Sequence, residues 1–400
     1  MIEPGDTWRA ISIRYRVPVS ELKAFNPHPN IFREPAIGKS ITIPNVADYQ
    51  RTGSLIAGDQ SIFQISAETG IPAYQLALIN QMPHPSSPKP EVSLYVPGDQ
   101  IIKDLPVGFS DLVFSHNLAR AGEGMALKGR INQPIISGKT QIGDQSGSLF
   151  APTGSPNAVG LLATGAFFWE GAPHVDIVTQ TPSQKPSCKL EQNENCTLTH
   201  LWTQPWLFEG KQWTFNNITL TGAAAEIDAE AIAAERARLF EIWQQPPAPN
   251  YFPTGSFNDP VKNFLYKSSF YGARRSYNGG PYSSYHEGLD FAAYRGTDVN
   301  AAAEGKVVVA EMLYVRGGSV VIDHGWGIFT GAYHLETVDI EVGASVIPDQ
   351  KVGTLGSTGL STGPHLHWDL LVNGVWVDPL AWQIKGMNCW ILAAMERTCS

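Results

Sequence analysis

Three short motifs towards the C-terminal end of the chain hold residues of the types that bind a metal and move protons. They are His286-Glu287-Gly288-Leu289-Asp290, Ala332-Tyr333-His334-Leu335 and Gly363-Pro364-His365-Leu366-His367-Trp368. Two imidazoles and one carboxylate suit zinc, and three protein ligands with the fourth tetrahedral position open mark a catalytic rather than a structural site. Zinc lowers the pKa of a bound water from about 16 to about 7 and polarises a carbonyl, which brings amide hydrolysis within reach near neutral pH. The water must still lose a proton and the oxyanion needs a donor; further imidazoles can meet both needs.

The spacing constrains the elements that carry these residues. His286 and Asp290 share a face in a helix or in a strand, and Gly288 with the Leu289-x-Phe291 alternation favours the strand. His365 and His367 are two apart, so a strand turns both imidazoles to one side and sends Leu366 into the core. A His-Glu-x-x-His helix is excluded, because the fifth position is Asp290 and Gly288 disfavours the helix it needs. His324 lies outside the motifs and is expected at a strand end or rim. Arg275, Asn278 and Tyr285, just upstream, are expected to line a substrate groove, with a surface ion pair as the alternative for Arg275.

In this order the motifs resemble those of lysostaphin-type (LytM-like) zinc endopeptidases, which cut peptide cross-links of bacterial peptidoglycan. The resemblance covers about residues 255–382 and includes Phe270-Tyr271-Gly272-Ala273-Arg274-Arg275, Val342-Gly343, Gly353-x-x-Gly356 and Gly359-x-Ser361-Thr362-Gly363. It implies zinc held by His286, Asp290 and His367, with His334 and His365 orienting or deprotonating the water and stabilising the oxyanion.

Residues 1–46 and 56–98 read as two copies of one small unit. The first runs Pro4-Gly5-Asp6-Thr7, Val17-Pro18, Phe25-Asn26 and Ile41-Thr42-Ile43-Pro44; the second runs Gly58-Asp59, Ile71-Pro72, Ile79-Asn80 and Tyr95-Val96-Pro97. Both resemble the LysM module, a βααβ fold, the second more loosely. The resemblance implies binding to glycan containing N-acetylglucosamine, through loops after Thr7 and near Asn26 to Asn30.

Short β-rich runs over 102–222, separated by Gly, Pro, Asn and Ser, predict an immunoglobulin-like β-sandwich acting as a spacer. Residues 223–250 predict a connecting helix, with Ile232, Leu239, Phe240 and Trp243 on its buried face, and a Pro-rich linker. The catalytic domain is then 251–385 and mainly antiparallel β, and 386–400 is a tail. The fold class is thus multidomain α+β.

Four cysteines pair most simply as 188–196 and 389–399, which points to an oxidising, extracytoplasmic compartment, reduced buried thiols being the alternative. The net charge of −9, with no long Lys/Arg run, excludes nucleic acid as a partner, and the apolar stretches are too short for a transmembrane segment. Met1 runs at once into what reads as folded domain, so no signal peptide is expected at this start. The expected activity is hydrolysis of peptidoglycan cross-links by a wall-bound zinc enzyme. A non-catalytic wall-binding regulator, and an enzyme held latent by its own upstream segment with Asn278 as a candidate blocker, are the alternatives.

Overall fold

Runs such as Val320-Val321-Ile322 and Leu370-Leu371-Val372 are β-branched or apolar throughout, as strands covered on both faces must be. In the computed structural model they form the middle of a ten-stranded sheet. The structure describes residues 228–383 and 386–399 without a break, most of 105–219, and scattered positions before 105, among them 39–42, 53–56, 61–69 and 94–97. Five strands of this sheet carry or flank the three motifs: β1 (Gly288–Ala292), β2 (Gly305–Leu313), β3 (Gly317–Asp323), β4 (Ile328–Val338) and β5 (His365–Val372). Their hydrogen-bonded order is β1-β5-β4-β3-β2, and every pairing is antiparallel. This order decides where the chemistry lies. It makes β5 the neighbour of both β1 and β4, so the first and third motifs meet directly and the second flanks them.

The sheet is covered on both faces. On one side Leu289, Phe291, Leu366, Trp368 and Leu370 join a large apolar cluster. On the other, Val309, Val321, Phe329 and Leu371 pack against Leu239 and Trp243 of helix α1 (Ala229–Trp243). Asp228 caps α1 by accepting from the N–H groups of Glu230 and Ala231. The buried stripe of α1 is Glu235, Leu239 and Trp243, whereas Phe240, expected on that face, is 52% exposed. Complete burial of a Leu such as Leu239 contributes roughly 1.5–3 kcal/mol. The Pro-rich stretch after α1 is tied down as well, since Trp326 donates through N–H and Nε1–H to Ala248 and Pro249 carbonyls.

Seven strands between 113 and 205 follow one hydrogen-bonded antiparallel order, in which the strand Gln145–Phe150 pairs with 139–142 along its first part and with 159–160 at its end. Leu127, Ile142, Leu162, Val175 and Ile177 gather in its own cluster. Ala126, Val159, Leu161 and Ala163 of the same strands enter the cluster of the ten-stranded sheet. Two side-chain bonds pin the same contact: Asn157 Nδ2 donates to Ala394 O (2.9 Å) and Asn373 Nδ2 to Leu161 O (3.1 Å). The region expected as a spacer therefore shares a core with the ten-stranded sheet. The stretch expected as a tail forms helix α2 (Met387–Ala394), which buries Met387, Ile391 and Leu392 and is closed by the Cys389–Cys399 disulfide.

At the N-terminal end Gly53–Ile56 pairs antiparallel with Leu94–Pro97, and Ile62–Thr69 is a helix with Ser61 and Gln64 bonded reciprocally at its start. Trp8, Ile11 and Leu22 are buried, and Asn26 bonds Leu22 O and both backbone groups of Thr42. The loop after Thr7, residues 27–30 and the expected 188–196 disulfide lie outside the described residues.

Candidate metal centre

Antiparallel register sets Asp290 of β1 opposite His367 of β5, and His286 stands just ahead of β1. The three donor atoms form a near-equilateral triangle: His286 Nε2 to Asp290 Oδ1, His286 Nε2 to His367 Nδ1, and His367 Nδ1 to Asp290 Oδ1 are each 2.9 Å. Two ligands of a tetrahedral zinc stand roughly 3.3 Å apart, so little opening is needed. His286 and Asp290 are buried and His367 nearly so.

The donor set itself calls for a cation. His286 Nδ1 lies 3.0 Å from the Phe270 carbonyl, which can only accept, so the proton sits on Nδ1 and Nε2 presents a lone pair. In the neutral ring that lone pair faces a carboxylate oxygen at 2.9 Å, a contact that a bound cation or a proton on Nε2 relieves. Burial works to raise the Asp290 carboxyl, but the His286 and His367 imidazoles hold it well below the usual carboxylate range. Burial pushes His367 down to about 3 against the pull of Asp290, so its imidazole is neutral, as a metal ligand must be. The residues present fit a zinc-like ion.

His334 and His365 flank the triangle, their ring centroids 4.8 Å apart, with His334 6.3 Å from His367. Both rings have the same tautomer. His334 Nδ1–H donates to Thr358 O (2.8 Å) and His365 Nδ1–H to Gly363 O (2.8 Å), which leaves each Nε2 as a base. Burial and then the neighbouring His365 push His334 down to about 4, so it is neutral at pH 7. His334 also holds a left-handed backbone, φ 63°, a conformation that costs a non-glycine residue about 1–3 kcal/mol and persists where surroundings over-determine it.

The other anticipated residues fall in different places. Arg275 turns towards the triangle, its Nη2 3.9 Å from Asp290 Oδ2. Asn278 is exposed, φ 51°, with its N–H donating to Ile218 O. Tyr285 packs edge-on against Phe167 and Tyr271 and lines, with Trp376 and Asp144, a cavity of about 460 Å³ beside the middle sheet. His324 ends β3 as expected, but at 0% exposure it is no rim residue: Nδ1–H donates to Glu304 O and Nε2 accepts from Thr330 Oγ1. Thr358, Arg316 and Glu235 also bear on the site and had no motif to mark them. Thr358 acts through its carbonyl, which no residue type announces.

Residues 284–379 match the family model Peptidase family M23, and residues 1–44 match LysM domain. The chain is 39% identical over 94 residues to Peptidoglycan DD-endopeptidase ShyC and 40% over 89 residues to ShyA, both of Vibrio cholerae. It is 38% identical over 96 residues to DD-carboxypeptidase/endopeptidase Mpg of Neisseria meningitidis. These matches take in 24%, 22% and 24% of this chain and only 22%, 21% and 22% of the relatives. The catalytic domain of the peptidase lysostaphin from Staphylococcus simulans is 32% identical, over 30% of this chain and 92% of that one, with a TM-score of 0.27. The chain thus carries a Peptidase family M23 domain at 284–379, which spans His286, Asp290, His367 and both flanking imidazoles, and a LysM domain at 1–44.

Proposed function

We propose that this protein is a zinc-dependent endopeptidase that hydrolyses peptide cross-links of bacterial peptidoglycan outside the cytoplasm, held on the wall by glycan-binding LysM modules. The observation that carries the proposal is the pairing of a three-donor triangle with two flanking imidazoles whose Nδ1–H groups donate to backbone carbonyls, which leaves the Nε2 side of each ring uncommitted. The relatives named as peptidoglycan DD-endopeptidases support the substrate class, and a LysM domain in the same chain supports its location. Tethering raises the effective concentration of wall peptide at the site.

His286, Asp290 and His367 would hold the ion, which when bound acts as a Lewis acid and makes water acidic enough to attack an amide. His334 and His365, each tied through Nδ1–H to a carbonyl, would take up the proton of the attacking water through Nε2. Once protonated, either donates to the oxyanion or to the departing amine. Arg275 keeps a positive charge beside Asp290 Oδ2, which favours the ionised carboxylate. The complete ligand set speaks against a non-catalytic regulator.

The test is release of cross-link fragments from purified walls, read by mass spectrometry, for the wild-type chain and for His286→Ala, Asp290→Ala and His367→Ala. Each substitution is expected to abolish release and zinc content while glycan binding persists; release at the wild-type rate would overturn the proposal.

A further inference from the structure

Helix α1 lies ahead of the matched peptidase residues 284–379, yet one of its side chains reaches the backbone that positions His334. The turn between β2 and β3 is the intermediary. His334 N–H donates to Arg316 O (2.8 Å) and Leu360 N–H to Val315 O (2.8 Å). Gly318 N–H donates to Thr358 Oγ1 (2.8 Å), and Thr358 O receives the His334 Nδ1 proton. One turn therefore sets both the main chain of His334 and the loop that orients its ring.

That turn is held by Glu235. Its Oε2 accepts from Val315 N–H at 2.6 Å and its Oε1 from Arg316 Nη1 at 3.1 Å, with the Glu235 side chain 3% exposed. Arg316 also donates through Nη2 to Glu287 (3.1 Å), the residue after the ligand His286, and its guanidinium lies 5.2 Å from the Tyr333 ring centre. Tyr314 OH, from the same turn, contacts the Asp228 N–H at the start of α1 (3.2 Å). Charge-assisted bonds in a buried setting are the strong class, and here they converge on two consecutive residues, Val315 and Arg316.

We infer that Glu235 is a positioning residue for catalysis: through Val315 and Arg316 it fixes the left-handed backbone and ring direction of His334. The inference rests on the catalytic role proposed for His334. It makes α1 part of the working enzyme, where sequence reading sees only a connector. A shift of about 1 Å in a group that must take a proton can cost about a hundredfold in rate.

The experiment uses the full chain with Glu235→Ala, Glu235→Gln and the double variant Glu235→Leu/Arg316→Met. The double variant replaces the buried ion pair by apolar bulk and so keeps the fold without the clamp. Kinetics on a soluble cross-linked muropeptide, zinc content, thermal unfolding and the histidine N–H proton resonances are recorded for each. The resonance of the His334 Nδ1–H is assigned by its disappearance in His334→Ala. In the double variant kcat is expected to fall by at least about tenfold with KM within twofold, zinc still bound and the His334 resonance lost to exchange. Glu235→Gln, which keeps one acceptor oxygen, is expected to fall between the wild type and Glu235→Ala. An unchanged kcat and an unchanged His334 resonance in a folded double variant would overturn the inference. If the wild-type chain cleaves nothing, the proposed function fails, and the resonance alone still decides the positioning role.

Discussion

Gly288→Ala separates the geometric reading of this site from a merely compositional one. Gly288 pairs with Asp369 across the β1–β5 ladder and has an ordinary strand φ, so its need for glycine is not conformational. A Cβ built there meets the carbonyl oxygen of Trp368 well inside van der Waals contact and stands 2.9 Å from Nε2 of the ligand His367. To reach ordinary contact at about 3.4 Å, the His367 ring must retreat by about 0.5 Å, or the two strands must part where Asp290 and His367 face each other. Neither is cheap, because β5 is covered on both sides; overpacking of this kind costs about 1–3 kcal/mol. The same displacement pulls one corner from a triangle whose sides are 2.9 Å. A loss of zinc affinity of about 10–100-fold follows, the range found when groups that orient a ligand are disturbed. The assay is competitive zinc titration with thermal unfolding of the metal-free protein, and Gly363→Ala is the control, since a Cβ at Gly363 meets nothing within 4 Å. Wild-type zinc affinity and unfolding temperature in Gly288→Ala would refute the argument.

Three further outcomes are expected. His334→Ala and His365→Ala should bind zinc as the wild type does and lose kcat by about 10²–10⁴-fold, the usual contribution of a positioned proton acceptor; metal analysis beside single-turnover kinetics checks this. His324, pushed down by burial from 6.5 to about 4, binds its proton in the unfolded chain before it does in the folded one. Its contribution is therefore fully present above pH 6.5 and is lost as the pH falls towards about 4, up to roughly 3 kcal/mol. Denaturant unfolding at pH 7.5 and 4.5 should show that loss in the wild type and a smaller one in His324→Gln. Replacing Cys389 and Cys399 by Ser opens a loop with a sequence separation of 10, worth about 3 kcal/mol in the chain-entropy picture, and the unfolding midpoint should fall accordingly.

What the sequence makes legible here is local, and what it hides is pairing. The two-residue step from His365 to His367 is enough to put both imidazoles on one face and Leu366, 0% exposed, on the other. Nothing local says that β1 and β5 are neighbours, because Asp290 and His367 are 77 positions apart and strand order is settled by the packing of both sheet faces. The error over α1 has the same origin. An apolar count selects Phe240 for the buried face, but the position is decided by what waits on the sheet: an N–H at Val315 and a guanidinium at Arg316, which a carboxylate at 235 satisfies. The buried state of His324 likewise depends on partners elsewhere in the chain, the Glu304 carbonyl and the Thr330 hydroxyl.

The stretch that is recognisable by its motifs is smaller than the unit that makes them work. Residues 284–379 contain His286, Asp290 and His367, the candidate ligands, together with His334 and His365. Yet the second face of their sheet is closed by Leu239 and Trp243 of α1, and the first joins a cluster completed by Met387, Ile391 and Leu392 of α2. Ala126, Val159 and Leu161 of the middle sheet enter that same cluster. A left-handed histidine survives only if its surroundings hold it, and those surroundings run through the β2–β3 turn to Glu235. The motifs carry the candidate ligands and imidazoles, and the flanking helices close the two faces of the sheet on which those side chains stand.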